Sequence, residues 1–108
     1  MPLNKPDEVM LRVDEILAVS TKPYIDLYEI NQATGRIHME CTGIMVRGNS
    51  SNAQATTADV RVTLTGDPQH TSEILTFSLR NLHRGLRIRK IWKADTNATP
   101  LIVFGIAV

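Results

Sequence analysis

The chain has 108 residues, of which 43% are hydrophobic and 21% charged, and its net charge at pH 7 is +1. This composition excludes disordered, collagen-like and disulfide-rich proteins, and the length predicts a single domain over residues 1–108. Because Cys41 is the only cysteine and no apolar run approaches the roughly 20 residues of a membrane-spanning helix, we expect a cytoplasmic protein with no membrane partner.

The N-terminal segment predicts a helix over residues 6–19. Pro6 suits the first helical turn, and the two acidic residues after it complement the positive end of the helix dipole. The apolar residues that would share one helical face are Val9, Val13, Ile16 and Leu17. The same segment also alternates apolar and polar residues over much of its length, so a strand is the alternative.

A hairpin is predicted after this segment. Residues 24–30 and 36–47 are both rich in strand-forming residues, and the loop between them, 31–35, ends in glycine. The following stretch, 48–57, holds only small or polar uncharged residues. We expect a mobile loop there.

The second arm of the hairpin contains a break in its alternation. Met39 and Cys41 fall on one face of a regular strand, whereas Ile44 and Val46 fall on the other. A bulge at Gly43 would return all four side chains to one face, because a bulge inserts one extra residue into the strand. We therefore predict a bulge at Gly43.

Four stretches follow that read as strands. Inward-facing residues are predicted in two of them, Val60, Val62 and Leu64 in the first and Leu75, Phe77 and Leu79 in the second. The third stretch is 86–92, and turns at 66–70 and 81–85 are short enough to join antiparallel neighbours. The last, 101–108, is apolar throughout, which is typical of a strand in the middle of a sandwich or at a subunit interface.

Together these elements predict an α+β fold, with an N-terminal helix followed by a mainly antiparallel sheet of about six strands. An all-β sandwich or barrel is the alternative if the first segment is a strand. No internal repeat, linker or low-complexity tract divides the chain.

The segment between Glu73 and Asp95 carries six positive side chains and no carboxylate. If residues 86–93 form a regular strand, Arg87, Arg89 and Lys93 share one face, and Trp92 lies on the other, where we expect it to join the core. Cations concentrated in this way suit phosphate groups. The predicted polyanion-binding residues are Arg80, Arg84, Arg87, Arg89 and Lys93. The alternative is an ordinary solvated strand face, neutralised by Glu73, Asp59 or the acidic N-terminal segment.

No motif of catalytic specificity accompanies the basic segment. His38 and Glu40 share a strand face from which Cys41 points away, and the chain lacks the later cysteine pair of zinc deaminases. Phosphate-binding glycine loops and the nucleophile elbow of hydrolases are also absent from the sequence. We therefore expect no metal, no cofactor and, on balance, no enzyme activity.

The sequence best fits a non-catalytic binding or assembly module with a basic strand face that binds nucleic acid or another polyanion. A homo-oligomer is also expected, because the apolar C-terminal strand suits an interface. Two alternatives stay open. One is a pocket protein for a small molecule, with or without weak enzyme activity, and the other is a purely structural, self-assembling subunit.

Overall fold

The computed structural model describes residues 8–28, 31–32, 35–36 and 39–107, and its elements are strands apart from one short helix. In chain order they are β1 (Glu8–Arg12), α1 (Asp14–Val19), β2 (Tyr24–Asp26), β3 (Asn31–Gln32), β4 (Gly35–Arg36), β5 (Met39–Val46), β6 (Thr57–Leu64), β7 (Glu73–Ser78), β8 (Leu82–Arg84), β9 (Ile88–Trp92) and β10 (Leu101–Ala107).

Two four-stranded antiparallel sheets form the body of the protein. The first sheet has the strand order β1, β10, β5, β8, and the second has the order β2, β9, β6, β7. Both sheets contribute to one hydrophobic core. Its most deeply buried apolar residues are Val13, Leu27, Met39, Ile44, Val46, Val60, Val62, Ile88, Ile91, Leu101 and Val103.

The predicted helix over 6–19 is wrong for its first half. Residues 8–12 form strand β1, which pairs with β10, and the helix covers only Asp14–Val19. Along β1, Val9 and Leu11 are partly buried against the core, while Glu8, Met10 and Arg12 are exposed. Residues 8–12 therefore follow the alternating pattern and not the helical one, because all five of them pair with β10. Residues 6 and 7 lie outside the described part of the chain.

The predicted count of six strands is also wrong, because the two sheets hold eight strands in the described residues. One added strand is β1, and the other is β8, which lies within the predicted turn 81–85. Strands β7 and β9 both flank β6, so the segment between them crosses to the first sheet and pairs there with β5. With one short helix the fold is β-rich and antiparallel, and is not clearly α+β.

The predicted hairpin exists only at its tip. Asn31–Gln32 and Gly35–Arg36 pair with each other, three of these residues in the predicted loop and Arg36 at the start of the predicted second arm, while the two arms diverge into different sheets. Strand β2 pairs with β9 and β5 pairs with β10. The arms stay joined where the backbone N–H of Met39 donates to the carbonyl of Leu27 at 3.2 Å.

The predicted bulge in β5 is confirmed. Opposite β10, Gly105 pairs with Cys41 and Phe104 pairs with Gly43, which leaves Thr42 as the extra residue. As expected from this shift, side chains on both sides of the bulge are buried in the same core. They are Met39, Cys41, Ile44 and Val46.

Of the two positions predicted for the C-terminal apolar run, the structure shows a central one in the first sheet, but only one face of the strand is fully buried, since alternate residues from Ile102 onward are partly exposed. Strand β10 lies between β1 and β5, and its Leu101 and Val103 are fully buried. A side chain at Gly105 would not fit, because its Cβ would lie 2.4 Å from Met39 Cγ and 2.7 Å from the carbonyl oxygen of Glu40. Close strand packing at this point therefore depends on glycine.

Candidate anion-binding site

The five predicted polyanion-binding residues do not form one face. Arg80 lies just after β7 and Arg84 on β8, which belongs to the first sheet. Arg87 lies on the exposed connection into β9, Arg89 is on β9 of the second sheet, and Lys93 follows that strand. The basic segment is thus distributed over both sheets by the crossing at β8.

The prediction that Arg87, Arg89 and Lys93 share a regular strand face is wrong. Opposite β6, Lys90 pairs with Thr63 and Ile88 pairs with Leu64, so Arg89 is an extra residue in the ladder. This bulge lets Ile88 and Ile91 both point into the core, and it sets Lys90 and Trp92 on the outer face of the sheet.

Trp92 is consequently half-buried on the outer face and does not belong to the core, contrary to the prediction. Its ring centroid lies 4.8 Å from that of Tyr24, and its Nε1 donates to the hydroxyl of Thr63 at 2.9 Å. Lys90 Nζ lies 4.6 Å from the centre of the Tyr24 ring. Trp92, Tyr24 and Lys90 therefore pack against one another on this face of the sheet.

Two of the five predicted residues are already paired with carboxylates. Arg84 makes two hydrogen bonds to Glu8, at 2.9 and 3.1 Å, and Arg89 Nε donates to Asp26 at 2.8 Å. The Arg84 guanidinium, together with the hydroxyl of Thr42, holds the pKa of Glu8 below its ordinary value. The alternative prediction, that nearby carboxylates neutralise the basic residues, therefore holds for these two arginines. One of the partners, Glu8, belongs to the acidic N-terminal segment, as that alternative expected.

Lys93 is also engaged, since its Nζ donates to the carbonyl of Ser20 at 2.6 Å. This contact fastens the end of β9 to the segment after α1, and it leaves the positive charge exposed. Arg87 is exposed too, and within the described residues it makes no ion pair. A role for either residue in binding stays a prediction.

Arg80 faces a cleft that it shares with Arg47, a residue outside the predicted set. The cleft has a volume of about 350 Å³. Its lining residues are Arg47, Gly48, Asn49, Ala53, Ala55, Thr56, Leu79, Arg80 and Thr99. No carboxylate occurs among them, and within the described part of the chain neither guanidinium makes an ion pair.

Backbone hydrogen bonds bring the two arginines together. The N–H of Arg80 donates to the carbonyl of Val46 at 2.7 Å, which places Arg80 beside the end of β5, where Arg47 follows. Arg80 adopts a left-handed conformation with φ of 67°, so the chain turns sharply there out of β7. The N–H of Arg47 in turn donates to the carbonyl of Pro100 at 2.9 Å.

The loop predicted to be mobile forms the wall of the cleft and is tied down by asparagine side chains. Asn49 Nδ2 donates to the carbonyl of Thr57 at 3.0 Å, and its Oδ1 accepts the N–H groups of Ser51 and Asn52. On the facing side, Gly48 packs so tightly that a Cβ there would lie 2.4 Å from the carbonyl oxygen of Thr99. The two positive charges of the cleft are therefore surrounded by neutral residues, some polar and some apolar, several of which are held by hydrogen bonds or close packing.

The sequence also raised a cysteine nucleophile, a His38–Glu40 pair and a metal site as possible centres of chemistry. Cys41 is buried, its thiol donates to the carbonyl of Gly43, and burial raises the pKa of this thiol, which disfavours the nucleophilic thiolate. His38 lies outside the described residues, and Glu40 accepts a hydrogen bond from the hydroxyl of Tyr28. Among the residues described, no three His, Cys, Asp or Glu side chains come together as metal ligands.

No helix in the described residues has the length and apolar character to cross a membrane. The chain matches no protein-family model, no curated protein and no solved structure. The function is therefore argued from the geometry of this chain alone.

Proposed function

We propose that the protein is a non-catalytic binding module that holds a phosphate group of a polyanion, such as a nucleic acid, in the cleft between Arg47 and Arg80. The observation that carries this proposal is the pairing of two guanidinium groups, neither of them ion-paired within the described residues, in a cleft whose lining has no carboxylate. The planar fork of arginine matches phosphate oxygens with two parallel hydrogen bonds.

The neutral walls of the cleft support the same proposal. Asn49, Thr56 and Thr99 supply amide and hydroxyl groups that can donate to the remaining phosphate oxygens. A volume of about 350 Å³ lies within the range of small-ligand pockets, so one phosphate with part of its sugar fits.

The test compares cleft arginines with an arginine of the same basic segment outside the cleft. Binding of a fluorescent, mixed-sequence single-stranded oligonucleotide is measured by anisotropy over a range of salt concentrations for the wild type, Arg47→Gln, Arg80→Gln and Arg87→Gln. Each cleft variant should weaken binding and reduce the slope of log K against log salt by about 0.7 per lost phosphate contact. Arg87→Gln is the matched control, because it removes one exposed positive charge without altering the cleft.

The outcomes separate the cleft from the wider basic segment. Unchanged affinity and slope in both cleft variants contradict the proposal. A loss confined to Arg87→Gln would move the site to the exposed surface before β9 and would return support to the prediction made from the sequence.

The location that fits this proposal is the cytoplasm. Cys41 is a free, buried thiol, as is usual in proteins of reducing compartments.

A further inference from the structure

Strand β7 forms an edge of the second sheet, and alternate backbone groups along it point away from the sheet. The N–H of Leu79 donates to the carbonyl of Thr56, so the pair Thr56 and Leu79 is of the hydrogen-bonded kind. Pairing alternates along an antiparallel ladder, so Phe77, Leu75 and Glu73 bond to β6 in the same way. The backbone N–H and C=O groups of the intervening residues, Ile74, Thr76 and Ser78, therefore face outward.

The bonds on the opposite side of β6 agree with this assignment. The N–H groups of Asp59 and Arg61, which lie opposite Thr76 and Ile74, donate to Asn97 and Thr96 on the side away from β7. In the described residues no backbone group pairs with the outward edge of β7. The edge is therefore open.

This edge has few of the devices that usually prevent strand pairing, since its single charged residue is Glu73 at one end. Glu73–Ser78 contains no proline, lysine or arginine, and its Ile74 side chain is 49% exposed. The other edges of the two sheets are less open. Strands β2 and β8 have only three residues each, and β1 has a charged residue at each end.

We propose that β7 pairs with β7 of a second copy of this chain, antiparallel and about a two-fold axis at Thr76. Only residues with outward backbone groups can bond to each other, so Thr76 pairs with its own copy and Ile74 pairs with Ser78. This register uses all three outward residues of both strands and forms about six backbone hydrogen bonds. Shifting the register by two residues leaves one outward residue of each strand without a partner inside the strand.

The side chains are self-complementary in the same register. On the inner face Leu75 of one copy lies opposite Phe77 of the other, and apolar pairs of this kind stabilise antiparallel strands. Glu73 lies opposite Leu79, next to Arg80 of the second copy. Both charged side chains are exposed, and neither makes an ion pair within the described residues, so the two-fold axis brings together two pairs of opposite charges.

The first test is the dimer dissociation constant, measured by sedimentation equilibrium. Ile74→Lys should raise it by roughly tenfold or more, since a lysine on the edge opposes pairing. Val19→Lys is the matched control, because Val19 is an exposed apolar residue on α1, away from the edge, and should leave the constant unchanged.

A charge reversal tests the partner and the register. Glu73→Arg and Arg80→Glu should each weaken the dimer, because each places like charges together across the axis, and the double variant should restore it. Amide hydrogen exchange of Ile74, Thr76 and Ser78 should slow as protein concentration rises. A wild type that stays monomeric at the highest attainable concentration overturns the proposal, as does a double variant no tighter than the singles.

These outcomes are independent of the cleft proposal. A monomeric wild type could still bind the oligonucleotide, and a dimer could form in a protein that does not bind it. Glu73→Arg leaves the lining of the cleft unchanged, so a dimer defect in that variant does not depend on anion binding.

Discussion

Asp14 shows how one side chain joins two distant parts of the chain. Its carboxylate accepts hydrogen bonds from the Arg12 guanidinium and from the backbone N–H of Leu101, at 3.0 Å in each case. The side chain is only 10% exposed. Burial opposes ionisation, but the bonds from Arg12 and Leu101 outweigh it and lower the pKa of Asp14. The ionised carboxylate thus fixes the start of α1 to the start of β10.

This arrangement predicts a pH dependence of stability. A carboxyl group whose pKa is lowered by folding stabilises the protein above its unfolded pKa of about 3.9, and the contribution is lost as the pH falls through the lower folded value. Asp14→Asn should reduce the free energy of unfolding at neutral pH by about 1.5–3 kcal/mol, as expected for bonds to a charged group. Denaturant titrations from pH 7 to pH 2 check this.

Measuring wild type and Asp14→Asn at several pH values shows whether ionisation of Asp14 causes the loss of unfolding free energy. The difference in unfolding free energy between wild type and Asp14→Asn should shrink as the pH falls below the ordinary range of an aspartate. Glu15→Gln is the control, because Glu15 is more exposed and, among the described residues, has Arg12 as its one ion-pair partner. A difference that stays constant with pH would show that packing, not ionisation, accounts for the loss.

Among the elements, the two bulges show what a sequence pattern reveals. The bulge in β5 was predictable, because Gly43 stands at a visible break in the alternation of apolar residues. The bulge at Arg89 was not, because residues 86, 88 and 92 continue an apparent alternation through it. Only the ladder with β6 shows that Ile91 is the buried residue.

Neither strand β8 nor the cleft could be predicted from the sequence, for a different reason. The residues of β8 pair with β5 in the other sheet, so no local pattern marks them as a strand. Arg47 lies near Arg80 because the chain crosses between the sheets. No pattern in the sequence indicates that these two residues are neighbours. The basic segment that the composition singled out includes Arg80, but the composition gave no means of separating this residue from the paired Arg84 and Arg89.

The bulge in β5 also predicts how a deletion in that strand changes stability. Deletion of Thr42 removes the extra residue, so either Met39 and Cys41 or Ile44 and Val46 must turn out of the core. Exposing two such side chains costs about 1.5–3 kcal/mol each, a large share of the 5–15 kcal/mol typical of a whole domain. The variant should therefore lose about 3–6 kcal/mol of unfolding free energy, which denaturant titration followed by circular dichroism measures.

A deletion elsewhere serves as the control for loop shortening in general. Gln54 lies in the exposed loop between β5 and β6, outside any ladder, and its deletion should cost far less. A Thr42 deletion as stable as the Gln54 deletion would show that the strand can shift its register without loss.

For the whole molecule, the distribution of charge links the two proposals. The net charge is only +1, and carboxylates lie against Arg61, Arg84 and Arg89. Arg47, Arg80 and Arg87 make no ion pair within the described residues, and the first two share the cleft proposed for an anion. Because Arg80 also lies at the end of the open edge of β7, the proposed dimer brings Glu73 of the second copy next to the cleft. A phosphate and this carboxylate would then compete for one guanidinium.

Competition for Arg80 predicts that anion binding and dimerisation oppose each other. By linkage, each must weaken the other by the same factor, and a coupling of ordinary size is about fivefold or more. Tripolyphosphate is a suitable probe, since it supplies phosphate groups without a base or a sugar. It should raise the dimer dissociation constant in sedimentation equilibrium relative to sodium chloride at the same ionic strength.

The Arg47→Gln variant tests whether the effect arises in the cleft. Arg47 lies outside the proposed interface, so the variant should dimerise as the wild type does. Tripolyphosphate should raise its dimer dissociation constant less than that of the wild type, because the anion binds the variant more weakly. An equal response in both proteins would mean that the anion acts elsewhere. If tripolyphosphate leaves the wild-type dimer unchanged while still binding to it, Arg80 is not shared, and the charge pair with Glu73 is not part of the interface.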